Sequence, residues 1–222
     1  MTNIKNSRNN KAYVKTAKGR KIGSTKWLER QLNDPYVQMA RKEGYRSRAA
    51  YKIIELDEQF KFFRKGQKVV DLGAAPGGWT QVAVKRCGAG NVVGIDILEI
   101  PPIEGAILLH KDFNDEDAPD MLKAQLGGQK VDLVICDIAP NTTGDRETDH
   151  IRILDLCELA TDFAFEVLKP GGSYVLKVWQ GGAEGDLLKR LKKHFERVKH
   201  AKPKASRADS AETYMVGMGF KK

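Results

Sequence analysis

The 222-residue chain has only three cysteines, Cys87, Cys136 and Cys157, an odd number with no CxxC spacing. That argues against a disulfide framework or a thiolate zinc site and for free thiols in a reducing compartment. Its four histidines are scattered without ligand spacing, so no metal is expected. No apolar run approaches the roughly 18 residues of a membrane span, and the N-terminus lacks the apolar core of a secretory signal. A cytoplasmic location with no membrane partner is expected. Acidic residues are missing from residues 1–23, which instead carry Lys5, Arg8, Lys11, Lys15, Lys18, Arg20 and Lys21.

The net charge of +9 is unevenly spread. Residues 1–68 hold 18 Lys/Arg against 6 Asp/Glu, a net +12. Residues 69–198 hold 14 against 21, a net −7, and residues 199–222 hold 6 against 2, a net +4. Two basic ends thus flank an acidic centre. Clustered cations neutralise phosphates and release counterions, so this pattern favours a nucleic-acid partner. Residues 1–23 read as a disordered basic arm, which either grips a phosphate backbone or is a solvated tail. Residues 24–222 are long enough for one domain and are expected to form a monomer. Within that domain, 24–66 reads as a helical part facing the nucleic acid and 67–222 as the core.

Helical signals begin at Ser24. Ser47 reads as the N-cap of a helix running to Phe60, with Ala49, Ile53, Leu56 and Phe60 on its apolar face. Lys52 lies at the edge of that stripe, either solvated or snorkelling toward a cleft. After Gly66, strands and helices alternate. Strands are expected at 68–72, 91–97, 106–109, 131–137 and 173–179, with helices from 78, over 115–126, 145–168 and 185–195. Gly127 and Gly128 stop the second of these helices, and Lys169-Pro170-Gly171-Gly172 closes the third. Segments 198–202 and 213–220 form an antiparallel terminal pair. The expected fold is therefore α/β: one mostly parallel seven-stranded Rossmann-like sheet with helices on both faces and an antiparallel terminal strand.

Ligands of such sheets bind outside the carboxyl ends of the strands. There the sequence reads Val69-Val70-Asp71-Leu72-Gly73-Ala74-Ala75-Pro76-Gly77-Gly78-Trp79-Thr80, a glycine-rich strand-to-helix turn. The GxGxxG spacing that seats a pyrophosphate is absent, which disfavours an NAD-dependent oxidoreductase. The turn suits a cofactor without phosphates, and S-adenosylmethionine is the commonest. Asp96 follows about 20 residues later, where ribose hydroxyls are bound in this architecture. Asp112 is placed to reach an adenine amino group.

Lys177 interrupts the apolar strand Tyr174-Val175-Leu176-Lys177-Val178-Trp179. On an edge strand it is a guard against aggregation; on a central one it needs a partner or a cleft. Burial and a neighbouring ammonium would lower its pKa and make it a general base. Asp137 ends the fourth strand, or else forms the turn before Pro140. Glu212 precedes the last strand, or else is an exposed edge charge.

Taken together, Arg46-Ser47-Arg48-Ala49-Ala50-Tyr51-Lys52, the glycine turn, Asp137-Ile138-Ala139-Pro140-Asn141, Lys177-Val178-Trp179-Gln180-Gly181, and Ser206-Arg207 through Glu212-Thr213-Tyr214 resemble the RrmJ/FtsJ family of ribose 2′-O-methyltransferases. The resemblance spans roughly residues 24–220. It implies S-adenosylmethionine-dependent 2′-O-methylation of large-subunit ribosomal RNA, with a uridine of the peptidyl-transferase A-loop as target and the large subunit or its precursor as partner. It also implies a catalytic tetrad of Lys52, Asp137, Lys177 and Glu212. Lys177 would accept or direct the 2′-hydroxyl proton, Lys52 and Asp137 would orient the ribose, and Glu212 would support the pair. Cofactor contacts are implied at Gly73, Gly77, Trp79, Asp96, Asp112 and Asp137, and RNA contacts at Arg46, Arg48 and Arg207. Trp179, where bacterial members often carry phenylalanine, and the long basic arm are departures.

Other acceptors fit less well. A C5-pyrimidine enzyme wants a cysteine after proline, whereas Cys136 precedes Asp137. An exocyclic-amine enzyme wants two prolines and an aromatic after strand four. Transfer RNA or an mRNA cap remains open as a substrate of the same chemistry. A non-catalytic ribosome-assembly factor would be marked by loss of a tetrad lysine, and both are present. Deleting residues 1–23 is expected to weaken RNA affinity and to flatten its dependence on salt concentration in filter binding. An unchanged salt slope would make the arm a solvated tail.

Overall fold

A computed structural model describes residues 22–140, 143–179, 184–208 and 210–221. Residues 1–21 of the expected arm lie outside that set, and helix α1 (Ile22–Asn33) takes up its last two positions. Helix α2 (Pro35–Glu43) follows directly. The Asp34 carboxylate accepts from the Tyr36 and Val37 N–H groups at 3.0 and 3.4 Å, and Pro35 occupies a position whose N–H has no helical partner. Gly44, at φ +79°, ends the helix.

Helix α3 (Ala49–Phe60) buries Ala50, Ile53 and Leu56, with Ala49 and Phe60 half-buried beside them. Ser47 is not its cap. Backbone bonds close the preceding turn, from Ala50 N–H to the Ser47 carbonyl at 3.3 Å and from Tyr51 N–H to the Arg48 carbonyl at 3.1 Å. The cap position falls to Arg48. Ser47 Oγ instead packs over Gly78, 2.5 Å from where a Cβ would stand, so this residue fits α3 against the next helix.

The strands are β1 (Val69–Leu72), β2 (Val92–Asp96), β3 (Ala106–His110), β4 (Val131–Cys136), β5 (Leu168–Trp179), β6 (Phe195–Ala201) and β7 (Glu212–Phe220). They form one seven-stranded sheet in the order β3-β2-β1-β4-β5-β7-β6. The first five run parallel, and β7 is inserted antiparallel between β5 and β6. Helices α4 (Gly78–Cys87), α5 (Ala118–Gln125), α6 (Arg146–Val167) and α7 (Glu184–His194) alternate with them. This is the expected mostly parallel sheet with helices and an antiparallel terminal strand.

Strand parity sorts the core into two clusters. Val69, Val92, Leu133, Ile135, Val175 and Tyr214 pack with α3 and α4 residues such as Ile53, Leu56, Val82 and Ala83. Val70, Val93, Val134, Leu176 and Met215 pack with Leu122, Ile153, Phe163 and Leu187 of α5, α6 and α7. Lys177, two residues after Val175, therefore falls on the side covered by α3.

Three boundaries differ from the sequence reading by three residues or more. Helix α5 starts at Ala118 rather than 115, because 112–118 is held in tight turns and the Lys111 ammonium ties Asp115 and Asp117 at 2.8 and 2.9 Å. Strand β5 starts at Leu168: the Lys169-Pro170-Gly171-Gly172 stretch passes as a break in register between the pairs Val131–Leu168 and Leu133–Ser173. Strand β6 starts at Phe195, whose aromatic ring packs over Gly217 of β7. Among the described residues, no helix is long and apolar enough to cross a membrane.

Ile53 is fully buried between α3 and the sheet, whereas Ile151 on α6 is exposed. Ile53→Ala is expected to lower the free energy of urea unfolding by about 3 kcal/mol, and Ile151→Ala by less than about 0.5 kcal/mol.

Candidate active site

The carboxyl ends of β1, β2 and β4 open into one cleft. β1 ends in the turn at Gly73, φ +78°, where a Cβ would stand 2.6 Å from Ile138 Cα. Glycine alone lets this turn lie against the loop after β4. The Gly73 and Ala74 N–H groups donate to the Ile95 carbonyl at 3.0 and 3.1 Å, and Ala75 N–H donates to Asp96 Oδ2 at 2.8 Å. The turn is thus fixed on β2 before any ligand arrives. Gly77, φ +109°, caps α4, and the space a side chain would need is filled by Ile103 and Arg46.

The cleft has a volume of about 300 Å³ and is lined by Gly73, Asp96, Asp112, Asp137, Ile138 and Arg152, among others. Asp96 Oδ1 accepts from the Leu98 N–H at 2.8 Å, and Asp112 Oδ1 accepts from the backbone N–H and from Nδ2 of Asn114, each at 2.9 Å. Four of the six residues implied as cofactor contacts therefore line the cleft. Gly77 and Trp79 do not. The Trp79 side chain is buried, donates from Nε1 to the Ala49 carbonyl at 2.8 Å, and lies 5.7 Å from the Tyr214 ring.

At the Asp137 end of the cleft the four tetrad positions come together from four elements. β5 is central, so the anti-aggregation reading of Lys177 is removed. Its Nζ donates to the Asp137 carbonyl at 2.6 Å and lies 3.1 Å from Asp137 Oδ1. Lys52 Nζ, from α3, reaches Glu212 Oε2 at 2.7 Å and lies 3.9 Å from Asp137 Oδ2. Because β7 runs antiparallel, its first residue, Glu212, pairs with Trp179 and lands on the same edge.

Burial pushes the Asp137 carboxyl up, but Lys177 and Lys52, with hydrogen bonds from Lys177 and Tyr214, outweigh it and hold the group below the usual carboxylate range. For Lys177, desolvation pulls the pKa down and is overcome by the charges of Asp137 and Glu212, so the net shift is upward. The expectation of a lowered lysine pKa is thus corrected: two carboxylates face this ammonium, and burial does not defeat them. A lysine has three N–H donors, and Asp137 engages two of them.

Two further residues were not singled out from sequence. Tyr214 Oη donates to Asp137 Oδ1 at 3.1 Å, and Ser206 Oγ donates to Glu212 Oε1 at 2.8 Å. The usable signal for Tyr214 was its parity with Glu212, which puts both on one face. Two of the three arginines are also engaged within the protein. Arg46 donates to the carbonyls of Pro101 at 2.6 Å and Pro102 at 2.8 Å, clasping the 101–102 loop to the glycine turn. Arg48 pairs with Asp34 at 3.0 Å and donates to the Ala205 carbonyl at 2.7 Å. Arg207 is half-buried, and its Nε has no hydrogen-bond partner among the described residues.

The FtsJ-like methyltransferase family model matches residues 45–220. The chain belongs to that family. A "Ribosomal RNA large subunit methyltransferase E" of Maricaulis maris is 62% identical over 208 residues, covering 94% of this chain and 74% of the relative. The protein of the same name from Paramagnetospirillum magneticum is 59% identical over 221 residues, covering 97% and 90%. A crystal structure described as that of a ribosomal RNA methyltransferase from Plasmodium falciparum superposes with a TM-score of 0.70 at 31% identity, covering 79% of this chain and 98% of that one. The resemblance read from the motifs thus holds for the family.

Beneath the methyltransferase's glycine turn lies Asp71, fully buried. It accepts from Thr80 Oγ1 at 2.6 Å through Oδ2, while Oδ1 is buried with no hydrogen-bond partner among the described residues. Desolvation raises its pKa from the ordinary 3.8 to about 7. Between those pH values the folded chain holds a proton that the unfolded chain has lost. Asp71 therefore contributes stability that is full below pH 4 and is lost as pH rises through 7. Asp71→Asn is expected to remove this part of the decline in urea-unfolding free energy between pH 5 and pH 8. A slope identical to that of the parent would show that Asp71 does not carry it.

Proposed function

We propose that this methyltransferase transfers a methyl group from S-adenosylmethionine to a ribose 2′-hydroxyl of large-subunit ribosomal RNA in the cytoplasm, through Lys52, Asp137, Lys177 and Glu212. The observation that carries the reading is the junction of these four side chains around Asp137, which itself lines the cleft. The names and similarity of the relatives support ribosomal RNA as the substrate, and the family resemblance supports a uridine of the A-loop as the nucleotide.

The cleft's chemistry fits the methyl donor. Its carboxylates, Asp96, Asp112 and Asp137, suit hydroxyl and amino donors and a cationic sulfur, whereas a pyrophosphate would be repelled. Asp96 would hold the ribose, Asp112 the adenine amino group, and Gly73 gives close backbone approach. Gly77 and Trp79 are left with their backbone groups, because the Trp79 side chain is committed to the core. Bound there, S-adenosylmethionine supplies an electrophilic methyl on a sulfonium, whose charge also disfavours the ammonium form of a neighbouring lysine.

The protein's own part is orientation and proton control. Asp137 engages two N–H groups of Lys177 and leaves the third for the substrate's 2′-oxygen. At rest Lys177 is a stabilised ammonium, and its remaining N–H directs that oxygen. To take the 2′-hydroxyl proton as the oxygen bonds to the methyl and the methyl leaves the sulfur, Lys177 must first give up a proton of its own, which a sulfonium in the cleft would favour. Lys52, anchored on Glu212, brings a second cation to the same carboxylate and braces the site from α3.

Purified protein is to be incubated with labelled S-adenosylmethionine and unmodified large ribosomal subunits, with transfer RNA and capped mRNA as competing acceptors. Label in a dinucleotide resistant to alkali is expected, since a 2′-O-methyl group blocks cleavage of the adjoining phosphodiester. Lys177→Ala is expected to retain cofactor binding while transfer falls by about 100-fold or more. Persistence near the wild-type rate would overturn the assignment of Lys177.

A further inference from the structure

We propose that Tyr214 is a positioning residue for methyl transfer, fixing the Asp137 carboxylate so that Lys177 is presented to the substrate in one orientation. This rests on the ribose-methylation reading and goes beyond the four residues that the reading names. Tyr214 is fully buried in β7, between β5 and β6. It stands directly across from Lys177 in the β5–β7 register. Its ring lies 5.7 Å from Trp79, and Lys52 Nζ sits 5.9 Å from the ring centroid. Its hydroxyl and the Lys177 ammonium approach the same oxygen, Asp137 Oδ1, each at 3.1 Å.

The three groups around Asp137 differ in stiffness. Lys52 and Lys177 reach it on flexible four-carbon stems, each with several rotatable bonds. Tyrosine has a rigid ring, two side-chain torsions, and here a strand backbone paired on both sides. Asp137 itself follows the last residue of β4; its N–H donates to the Leu72 carbonyl of β1 at 3.1 Å, which fixes its backbone but not the rotation of its carboxylate. A rigid donor on Oδ1 therefore sets the carboxylate's rotation, and through it the direction of the remaining Lys177 N–H. Burial pushes the tyrosine hydroxyl's pKa well upward, so it stays a neutral donor.

Tyr214→Phe keeps the ring and removes the hydroxyl. With subunits as acceptor, kcat is expected to fall about 10-fold, with the KM for S-adenosylmethionine within about twofold and the melting temperature near that of the parent. In protein without cofactor, ¹⁵N relaxation of the Lys177 ammonium is expected to show a lower order parameter in the variant. The proposal is overturned if kcat is within twofold of the parent, or if the ammonium's order parameter is unchanged. Wild-type protein alone gives a third test: a slowly exchanging Tyr214 hydroxyl proton with a cross-peak to the Asp137 β-protons is expected, and its absence removes the contact however the variant folds. Ribose methylation by the wild type with an unaffected Tyr214→Phe would sink only the tyrosine. Failure of the wild type to methylate ribose would sink the reading beneath it.

Discussion

One carboxylate between two ammonium groups is the constraint on which the site depends. Lys52 and Lys177 arrive from a helix and from the middle of a sheet, and neither could be held near the other without Asp137 between them. Removing water from a charge costs several kcal/mol unless a partner and hydrogen bonds compensate. Asp137 supplies the partner, Glu212 shares the second cation, Tyr214 adds a donor to the oxygen that Lys177 approaches, and Ser206 satisfies the Glu212 oxygen that Lys52 leaves over. The arrangement holds as a unit: each charge is tolerated because the others are present. That is also why the resting lysine is more firmly protonated than its burial suggests.

Much of this was legible in the order of residues. Alternating apolar runs placed the strands, and an acid or a lysine at a strand's carboxyl end marked the edge where ligands bind. Parity held a further signal: Val175 shares the face of Lys177, and Glu212 that of Tyr214. The glycine turn was readable because Gly73 and Gly77 have a backbone conformation that side chains resist.

What could not be read depended on contacts across long stretches of chain. Arg46 and Arg48 also donate to the carbonyls of the 101–102 loop and Ala205, from 55 to 157 residues away, contacts that no local pattern announces. The sign of the Lys177 shift depends on how many carboxylates face it, and Glu212 reaches it only through the insertion of β7. Ser47 has the composition of a helix cap, yet it is spent on packing against Gly78. Local chemistry named the participants; topology assigned several of them different work.

The insertion of β7 between β5 and β6 also imposes an order in time. A chain made from its N-terminus has the glycine turn, Asp96, Asp137 and Lys177 long before residues 212–220 exist. Until residues 212–220 leave the ribosome, β5 has an open edge and Lys52 lacks Glu212. Each newly made molecule therefore has the residues that line its cleft before it has Glu212 and Tyr214, and the junction around Asp137 closes only once β7 has been made.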